Sequence, residues 1–426
     1  MNNDQKAPAN QKAPANENAP ANEARSVQDR EAMRAAAKTA ILSCLAMKKG
    51  ERLLIISNPE TEQEEIARVV HEVAQENEIN STLVLQPVKT QADFAEEYVI
   101  DAIAQEPDAV ASISTEKLGK DKKGLEQPYR LAPTQNERDE QDENKGDTPA
   151  VPDPRAKTYD HIFDFLLSGK KTIRSFWSPG ITADMFARTV NIDYTLMRQQ
   201  ARALKKLIDE ASFLMIQAPG GTDIVLSVEG RQTFMDDGDF GRPGRGGNLP
   251  AGEVFVSPAL KSGEGHIVFD GSIADIAGDI VIREPIDCTV VGGFVMEAKG
   301  GDEAARLERA MKHGMDMAAE LARKGRMAPE EALRYATNSR HLGELGIGLN
   351  DMARIGGNML EDEKVYGTCH FAIGANYDDD APALIHLDGL VKRPTITALL
   401  PSGQEITFMR DGLLELPDDD LFSLND

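Results

Sequence analysis

Residues 52–86 read RLLIISNPETEQEEIARVVHEVAQENEINSTLVLQ, and this stretch decides the fold of the first half of the chain. Arg52–Ser57 is a short apolar run typical of a buried strand, and residues 81–86 repeat that pattern. Between them, residues 61–76 carry apolar side chains at helical spacing. A strand, a helix and a second strand predict a parallel sheet joined by a right-handed crossover.

The same alternation predicts an amino-terminal α/β domain, Rossmann-like, over residues 26–205. A helix is expected from a cap near Ser26 to Gly50, a further strand at 109–114 and a helix near 185–211. The charged, proline-rich residues 120–157 predict a partly disordered surface insertion, with a lid or partner-binding loop as the alternative. Residues 1–25 repeat A-P-A-N three times and predict a disordered tail.

After residue 205 the sequence changes to short apolar runs broken by glycines. This pattern predicts a mixed α+β domain over residues 206–426, with antiparallel strands. A long helix is expected at 302–324, a shorter one from Pro329, and a hairpin in the run PTITALLPSGQEITFMRDG. The two-domain prediction fits a chain of 426 residues.

Composition excludes several classes of partner. The chain carries 47 basic and 71 acidic residues, a net charge of −24, which would repel the phosphates of nucleic acids and anionic lipids. We find no apolar run long enough to export or anchor the chain, and therefore expect a cytoplasmic protein with no membrane partner. Its three cysteines form no C-x-x-C pair, which argues against a disulfide framework or a thiolate zinc site.

Two histidines lie where a metal ion could use them. His386 and Asp388, in ALIHLDGL, would point to the same face of a strand and offer an imidazole beside a carboxylate. His370 lies in the mostly apolar run GTCHFAIGANY and needs a hydrogen bond or a cation if buried. Tyr377, in the same run, is either a packing residue or a phenol placed at a reaction site.

Two glutamates border apolar strands in the same half of the chain. Glu253 lies in NLPAGEVFVSP and Glu344 in HLGELGIGLN. Each is either a metal ligand or an edge residue that faces water. Together with the two histidines and Asp388 they form an oxygen and nitrogen ligand set. Such a set suits zinc, cobalt, manganese or iron. Five ligands exceed what one catalytic zinc takes, so a two-metal site is attractive.

The motifs GTDIVLSVEGR, NLPAGEVFVSP, LGELGIG, CHFAIGANY and IHLDG resemble the thermophilic metallo-aminopeptidases, aminopeptidase T and aminopeptidase S. The resemblance implies a homodimeric hydrolase that removes the first residue of a peptide with a free amino terminus, through a water activated by two divalent ions, zinc or cobalt, with manganese as a further candidate. It implies Tyr377 and Glu253 as catalytic residues. The implied metal ligands are Glu253, Glu344, His370, Tyr377, His386 and Asp388.

Two alternatives to the peptidase remain open. The peptidases carry a further ligand glutamate five residues before the histidine, where this chain has Val365, so the second metal site is in doubt. Ring-cleaving dioxygenases of the 2,5-dihydroxypyridine type belong to the same superfamily, use one iron(II) and share the H-x-D pair, although a serine stands where this chain has His370. The other alternative is a noncatalytic metal-binding protein.

Overall fold

The computed structural model describes residues 19–131 and 157–416. Most of the predicted tail and most of the predicted insertion lie outside these ranges. In chain order, the α-helices of the described residues are α1 (Ala19–Lys38), α2 (Glu62–Glu76), α3 (Glu97–Ile103), α4 (Lys122–Glu126), α5 (Ile162–Asp164), α6 (Ala183–Thr189), α7 (Tyr194–Glu210), α8 (Asp302–Arg323), α9 (Pro329–Asn338) and α10 (Met359–Asp362).

The strands of the same residues fall into a first group and a longer second group. The first group is β1 (Arg52–Ser57), β2 (Asn80–Leu85), β3 (Ala109–Ile113), β4 (Tyr129–Arg130), β5 (Thr158–Tyr159) and β6 (Arg174–Trp177). The second is β7 (Phe213–Gln217), β8 (Asp223–Ser227), β9 (Thr233–Asp236), β10 (Gly246–Asn248), β11 (Glu253–Val256), β12 (Glu264–Phe269), β13 (Ser272–Ile273), β14 (Ile280–Val281), β15 (Ile286–Val291), β16 (Phe294–Lys299), β17 (Leu342–Gly348), β18 (Thr368–Gly374), β19 (His386–Lys392), β20 (Thr395–Leu399), β21 (Glu405–Arg410) and β22 (Leu413–Leu414).

The first sheet is parallel, in the order β10-β6-β3-β1-β2, and it confirms the predicted parallel-sheet, Rossmann-like part of the α/β fold. Five of the six residues of β1 are buried because helices cover both faces of the sheet. Helix α2 forms the crossover from β1 to β2, and the Thr61 side chain caps it by accepting a hydrogen bond from the Glu64 N–H. The opening stretch of sequence therefore folds as expected.

The second half forms two antiparallel sheets, which confirms the predicted mixed α+β region. A seven-stranded sheet has the order β14-β13-β19-β18-β17-β11-β9, and an eight-stranded sheet has the order β16-β15-β12-β8-β7-β20-β21-β22. Strands β20 and β21 are the predicted hairpin, and helices α8 and α9 lie where the two helices were expected. The larger of two apolar clusters among the described residues runs from β1 to the inner faces of β11, β17 and β18.

Two helices differ from the prediction. Helix α1 begins at Ala19, before the expected cap at Ser26, because the alanine-rich sequence continues upstream and favours helix. The helix expected near residues 185–211 is divided into α6 and α7. The division occurs because the Asp193 side chain accepts hydrogen bonds from the N–H groups of Thr195 and Leu196 and so starts a new helix.

The chain crosses between the two halves more than once. Strand β10 follows the predicted boundary at residue 205, yet it pairs with β6 at the edge of the first sheet. Only four residues separate β10 from β11 in the seven-stranded sheet. The boundary stays a prediction, and this short connection ties the start of β11 to the parallel sheet.

The ends of the predicted insertion are ordered within the described residues. Strands β4 and β5 pair as a short antiparallel ladder that joins its two ends. Within the described ranges, no helix combines the length and the apolar character that crossing a membrane requires.

Candidate metal centre

Four neighbouring strands of the seven-stranded sheet carry five of the six predicted ligands, and the sixth, Tyr377, lies between β18 and β19. Glu253 begins β11, Glu344 lies on β17, His370 on β18, and His386 and Asp388 on β19. These strands are adjacent in the order β11-β17-β18-β19, with His386 and Asp388 two residues apart on one strand face. The sheet therefore brings five residues that are far apart in sequence to one place.

The ligand atoms approach one another closely around Glu344. Its Oε1 lies 3.1 Å from His370 Nε2, and its Oε2 lies 3.6 Å from His386 Nε2. The same His386 nitrogen is 3.3 Å from Asp388 Oδ1. Three sets of side chains have ligand atoms within 4.8 Å of one another: Glu344, His386 and Asp388; Glu253, Glu344 and His370; and Glu363, His370 and Asp388.

The ring of His386 is held in the orientation that a metal ligand needs. Its Nδ1 lies 2.9 Å from the carbonyl oxygen of Ala375, which can only accept a hydrogen bond, so Nδ1 carries the proton. In the neutral imidazole the lone pair is then on Nε2, which faces Glu344 and Asp388. A backbone carbonyl that fixes the tautomer in this way is typical of metal-bound histidines.

Several buried polar atoms at the site have no hydrogen-bond partner among the described residues. They are Glu344 Oε2, Glu253 Oε2 and His370 Nδ1. Buried carboxylate oxygens are rarely left unpaired, because their desolvation is costly without a hydrogen bond or a cation. The unpaired oxygens and the mixed nitrogen and oxygen donors fit a divalent metal ion.

The titration behaviour of the site reflects its excess of carboxylates. Burial lowers the pKa of His386, but Asp388 and Glu344 outweigh burial and raise this pKa to about 10. Burial likewise lowers the pKa of His370, while the hydrogen bond to Glu344 and the nearby Glu253 raise it to about 9. Burial raises the pKa of Asp388, but His386 lowers it to about 2. Without a metal ion, protons on both imidazoles add positive charge to the site at neutral pH.

Metal binding at neutral pH is therefore expected to release protons. Because His386 must lose its Nε2 proton to bind an ion, we expect at least about one proton per ion at pH 7, and affinity that rises as pH increases toward 10. Calorimetric titration with Mn²⁺ in buffers of different ionisation enthalpy measures this number. Binding with no proton release would contradict the proposed role of His386, and His313→Ala, at an exposed helical position, serves as the control.

A glycine makes room for the His370 ring. Gly346 lies opposite His370 in the β17–β18 register, and a Cβ atom there would be 2.1 Å from both Cε1 and Nε2 of the imidazole. No side chain fits at that distance. The sequence LGELGIG thus supplies both a carboxylate, Glu344, and the space for its histidine partner two residues later.

Aromatic rings form a wall beside the metal ligands. The Tyr377 ring lies 4.9 Å from the Phe255 ring and 5.6 Å, edge to face, from the His386 ring, measured between centroids. Phe234 stacks on the far side of Phe255 at 5.4 Å. The Tyr377 residue as a whole is 56% exposed. Burial around its hydroxyl group and the nearby Glu344 carboxylate raise the pKa of the phenol, so the hydroxyl stays protonated. Its predicted role as ligand or hydrogen-bond donor stays a prediction.

Sequence reasoning missed a buried cation at this site. Lys364 is fully buried, and its Nζ lies 2.6 Å from Glu253 Oε1 and also bonds Glu363. Its pKa is raised well above the usual value, since Glu253 and Glu363 outweigh the effect of burial, so it is an ammonium. The pairing with Glu253 spans 111 positions, and no periodicity in the sequence signals it.

Another histidine of the second half, His341, lies outside the three ligand sets of the described residues. It is buried edge to face against Phe294, with 5.3 Å between ring centroids, and burial lowers its pKa to about 4. It is therefore a neutral core histidine.

Comparison with known proteins gives a family match across the site. A family model described as 2,5-dihydroxypyridine 5,6-dioxygenase matches residues 183–388, a range that includes all six predicted ligands. A curated relative, the 2,5-dihydroxypyridine 5,6-dioxygenase of Pseudomonas putida KT2440, is 28% identical over 125 residues. That alignment covers 28% of this chain and 34% of the relative, so it spans about a third of the length of that protein.

Two solved structures share the fold. The 2,5-dihydroxypyridine dioxygenase of Pseudomonas putida KT2440 has a TM-score of 0.62 and 16% identity, and the match covers 91% of this chain and 98% of that one. Wild-type AmpT from Thermus thermophilus has a TM-score of 0.54 and 17% identity, covering 90% and 99%. Both likenesses are at the level of the fold, and the second accounts for the resemblance to aminopeptidase T.

These findings correct one expectation. The hydrolase interpretation, with its aminopeptidase and protease activities, is wrong, because the family model, the curated relative and the first solved structure are all named as dioxygenases, which are oxidoreductases. A metal site is retained in the corrected interpretation, because three groups of histidine and carboxylate side chains could hold an ion. The ligand geometry and the similarities together support a metal-dependent enzyme.

Proposed function

We propose that this protein is an iron(II) dioxygenase that cleaves a hydroxylated aromatic ring of the 2,5-dihydroxypyridine class. The observation that carries the proposal is the set of Glu344, His386 and Asp388, whose ligand atoms lie within 4.8 Å of one another inside the segment that matches the dioxygenase family. The cluster offers one imidazole and two carboxylates, with a second imidazole, His370, beside Glu344.

The donor set agrees with iron(II). Histidine and carboxylate ligands that leave coordination positions open are characteristic of non-haem iron(II) oxygenases. Glu344, His386 and Asp388 would hold the ion, which would supply the activation of dioxygen for ring cleavage. No cysteine belongs to the ligand sets of the described residues, in keeping with a hard-to-borderline ion.

His370 has a different task in this proposal. It is fully buried, and its Nε2–H donates to Glu344 Oε1 across 3.1 Å. This hydrogen bond fixes the rotamer of Glu344 and holds a proton beside the ligand carboxylate. The nitrogen is thus placed to pass a proton to or from a group bound next to Glu344.

The aromatic wall suits a planar substrate. Tyr377 and Phe255 present ring surfaces next to His386, and the exposed part of Tyr377 leaves room for another ring to stack. The protonated phenol is a donor for a ring oxygen of the substrate. This arrangement favours an aromatic substrate over a peptide.

Tyr377→Leu is expected to raise KM for 2,5-dihydroxypyridine by about tenfold, because an aromatic contact contributes about 0.5–1.5 kcal/mol beyond its buried area. Tyr377→Phe retains the ring but loses the phenol donor, so it should raise KM less than Tyr377→Leu does. Steady-state kinetics on the iron-loaded variants measure both values, with Tyr98→Leu, on α3, as the control. An unchanged KM for Tyr377→Leu would contradict the stacking role.

Oxygen uptake tests the proposed function. Protein loaded with iron(II) under nitrogen and mixed with 2,5-dihydroxypyridine in an oxygen-electrode cell should consume one dioxygen for each ring lost from the ultraviolet spectrum. His386→Ala should abolish this uptake, and His313→Ala should retain it. A folded, iron-loaded wild-type protein that consumes no oxygen with hydroxylated pyridines or dihydroxybenzenes would overturn the proposal.

A further inference from the structure

The ammonium of Lys364 lies inside a group of carboxylates that adjoins the metal ligands. Its Nζ is 2.6 Å from Glu253 Oε1 and 3.6 Å from Asp236 Oδ2, and it bonds Glu363 directly. Glu253 and Asp236 face each other across the β9–β11 ladder, so the sheet fixes the distance between them. We call Asp236, Glu253, Glu363 and Lys364 the lysine half-site.

The lysine half-site is continuous with the proposed iron site. Glu253 Oε2 lies 3.5 Å from His370 Nε2, and ligand atoms of Glu363, His370 and Asp388 lie within 4.8 Å of one another. His370 and Asp388 thus belong to both halves of one cluster. The lysine half-site contains one fixed positive charge, the Lys364 ammonium. In the half formed by Glu344, His386 and Asp388, no described ion pair involves a lysine or an arginine.

The lysine half-site still has free acceptor capacity. Asp236 Oδ1 and Oδ2 and Glu253 Oε2 are buried and have no hydrogen-bond partner within the described residues. One ammonium offers three donors, whereas three carboxylates offer many more lone pairs. The carboxylates that surround Lys364 are therefore the donor set of a cation site in which an ammonium takes the position of the ion.

We propose that the Lys364 ammonium replaces a second metal ion, so that the protein binds one ion, and that removing the amine creates a second site for a divalent cation at Asp236, Glu253 and Glu363. The inference rests on the proposed function in one respect, the assignment of the first ion to Glu344, His386 and Asp388. Lys364 thereby determines the number of metals in the cluster.

Three substitutions at Lys364 separate charge from space. Lys364→Ala removes both the charge and the chain, and should bind two Mn²⁺ per protein molecule. Lys364→Arg retains the charge and Lys364→Met fills the space, so each should bind no more than one. Arg188→Ala removes a partly buried cation, paired with Glu361 at 2.6 Å outside the ligand cluster, and should bind one ion as in the wild type.

The experiment is equilibrium dialysis of the full chain against Mn²⁺ with elemental analysis, followed by electron paramagnetic resonance. Ions of two-metal sites lie about 3.5–4 Å apart, so two Mn²⁺ in Lys364→Ala should show spin coupling that wild type lacks. One Mn²⁺ in Lys364→Ala, or two in the wild type, would overturn the inference without touching the oxygenase proposal. A wild type that binds neither Mn²⁺ nor Fe²⁺ would overturn both.

If Lys364→Ala does not fold alone, because Asp236, Glu253 and Glu363 have lost their cation, Mn²⁺ should restore folding. Refolding with Mn²⁺ should then yield folded protein with two ions, judged by circular dichroism and elemental analysis. Failure of Mn²⁺ to rescue folding would overturn the inference, since the carboxylates would then not accept an ion in place of the amine.

Discussion

Asp388→Asn is expected to weaken iron(II) binding by more than about 100-fold, beyond the 10- to 100-fold typical for losing a residue that only supports a ligand. The substitution preserves shape while removing the charge that faces His386 Nε2 at 3.3 Å. Asp388 also belongs to two of the three ligand sets, so its carboxylate lies at the centre of the cluster. Anaerobic calorimetric titration with iron(II) measures the affinity, and oxygen uptake with 2,5-dihydroxypyridine should fall in parallel.

The matched control is Asp279→Asn. Asp279 is partly buried and accepts a hydrogen bond from the Met359 N–H at 2.6 Å, but it belongs to none of the ligand sets among the described residues. It should retain iron affinity. Wild-type affinity in Asp388→Asn would place the metal elsewhere and contradict the site assignment.

Gly346→Ala is expected to destabilise the fold by about 1–3 kcal/mol, the usual cost of overpacking a core, and to abolish iron binding. The new Cβ would lie 2.1 Å from His370 Cε1 and Nε2, so the ring must move or strands β17 and β18 must shift. Either movement displaces Glu344, which lies two residues away on the same strand. Denaturant unfolding gives the stability change, and titration gives the affinity.

A double variant identifies the cause of this loss. In a His370→Ala background, Gly346→Ala should cost much less stability than it does in the wild type, because the ring that its Cβ would meet is gone. Gly356→Ala is the control, since the nearest atom to its new Cβ would be 3.9 Å away. Strictly additive effects of the two substitutions would show that the clash with His370 is not the cause.

Local pattern predicted much of the fold. Strand β1 and helix α2 follow from apolar periodicity and a threonine cap, and the β20–β21 hairpin follows from a Pro-Ser-Gly turn. Sheet order did not follow, since β19 lies between β13 and β18 through contacts of residues far apart in sequence. The insertion of β10 into the first sheet likewise depends on tertiary pairing alone.

The candidate site was predictable where ligands are close in sequence. His386 and Asp388 share a strand face because side chains alternate with a period of two. Lys364 was not predictable, since its partner Glu253 is 111 positions away. The ligand residues also could not predict the reaction class, because histidines and carboxylates bind the ions of both hydrolytic two-metal centres and oxidative one-metal centres.

The most direct measurement is the fate of isotopically labelled dioxygen. Iron-loaded protein is supplied with ¹⁸O₂ and 2,5-dihydroxypyridine, and the product is analysed by mass spectrometry. The proposed dioxygenase opens the ring and places both atoms of one dioxygen in the product, so the product should gain two heavy oxygen atoms. A product that carries oxygen from water alone, or an intact ring with iron bound, would contradict the proposed function.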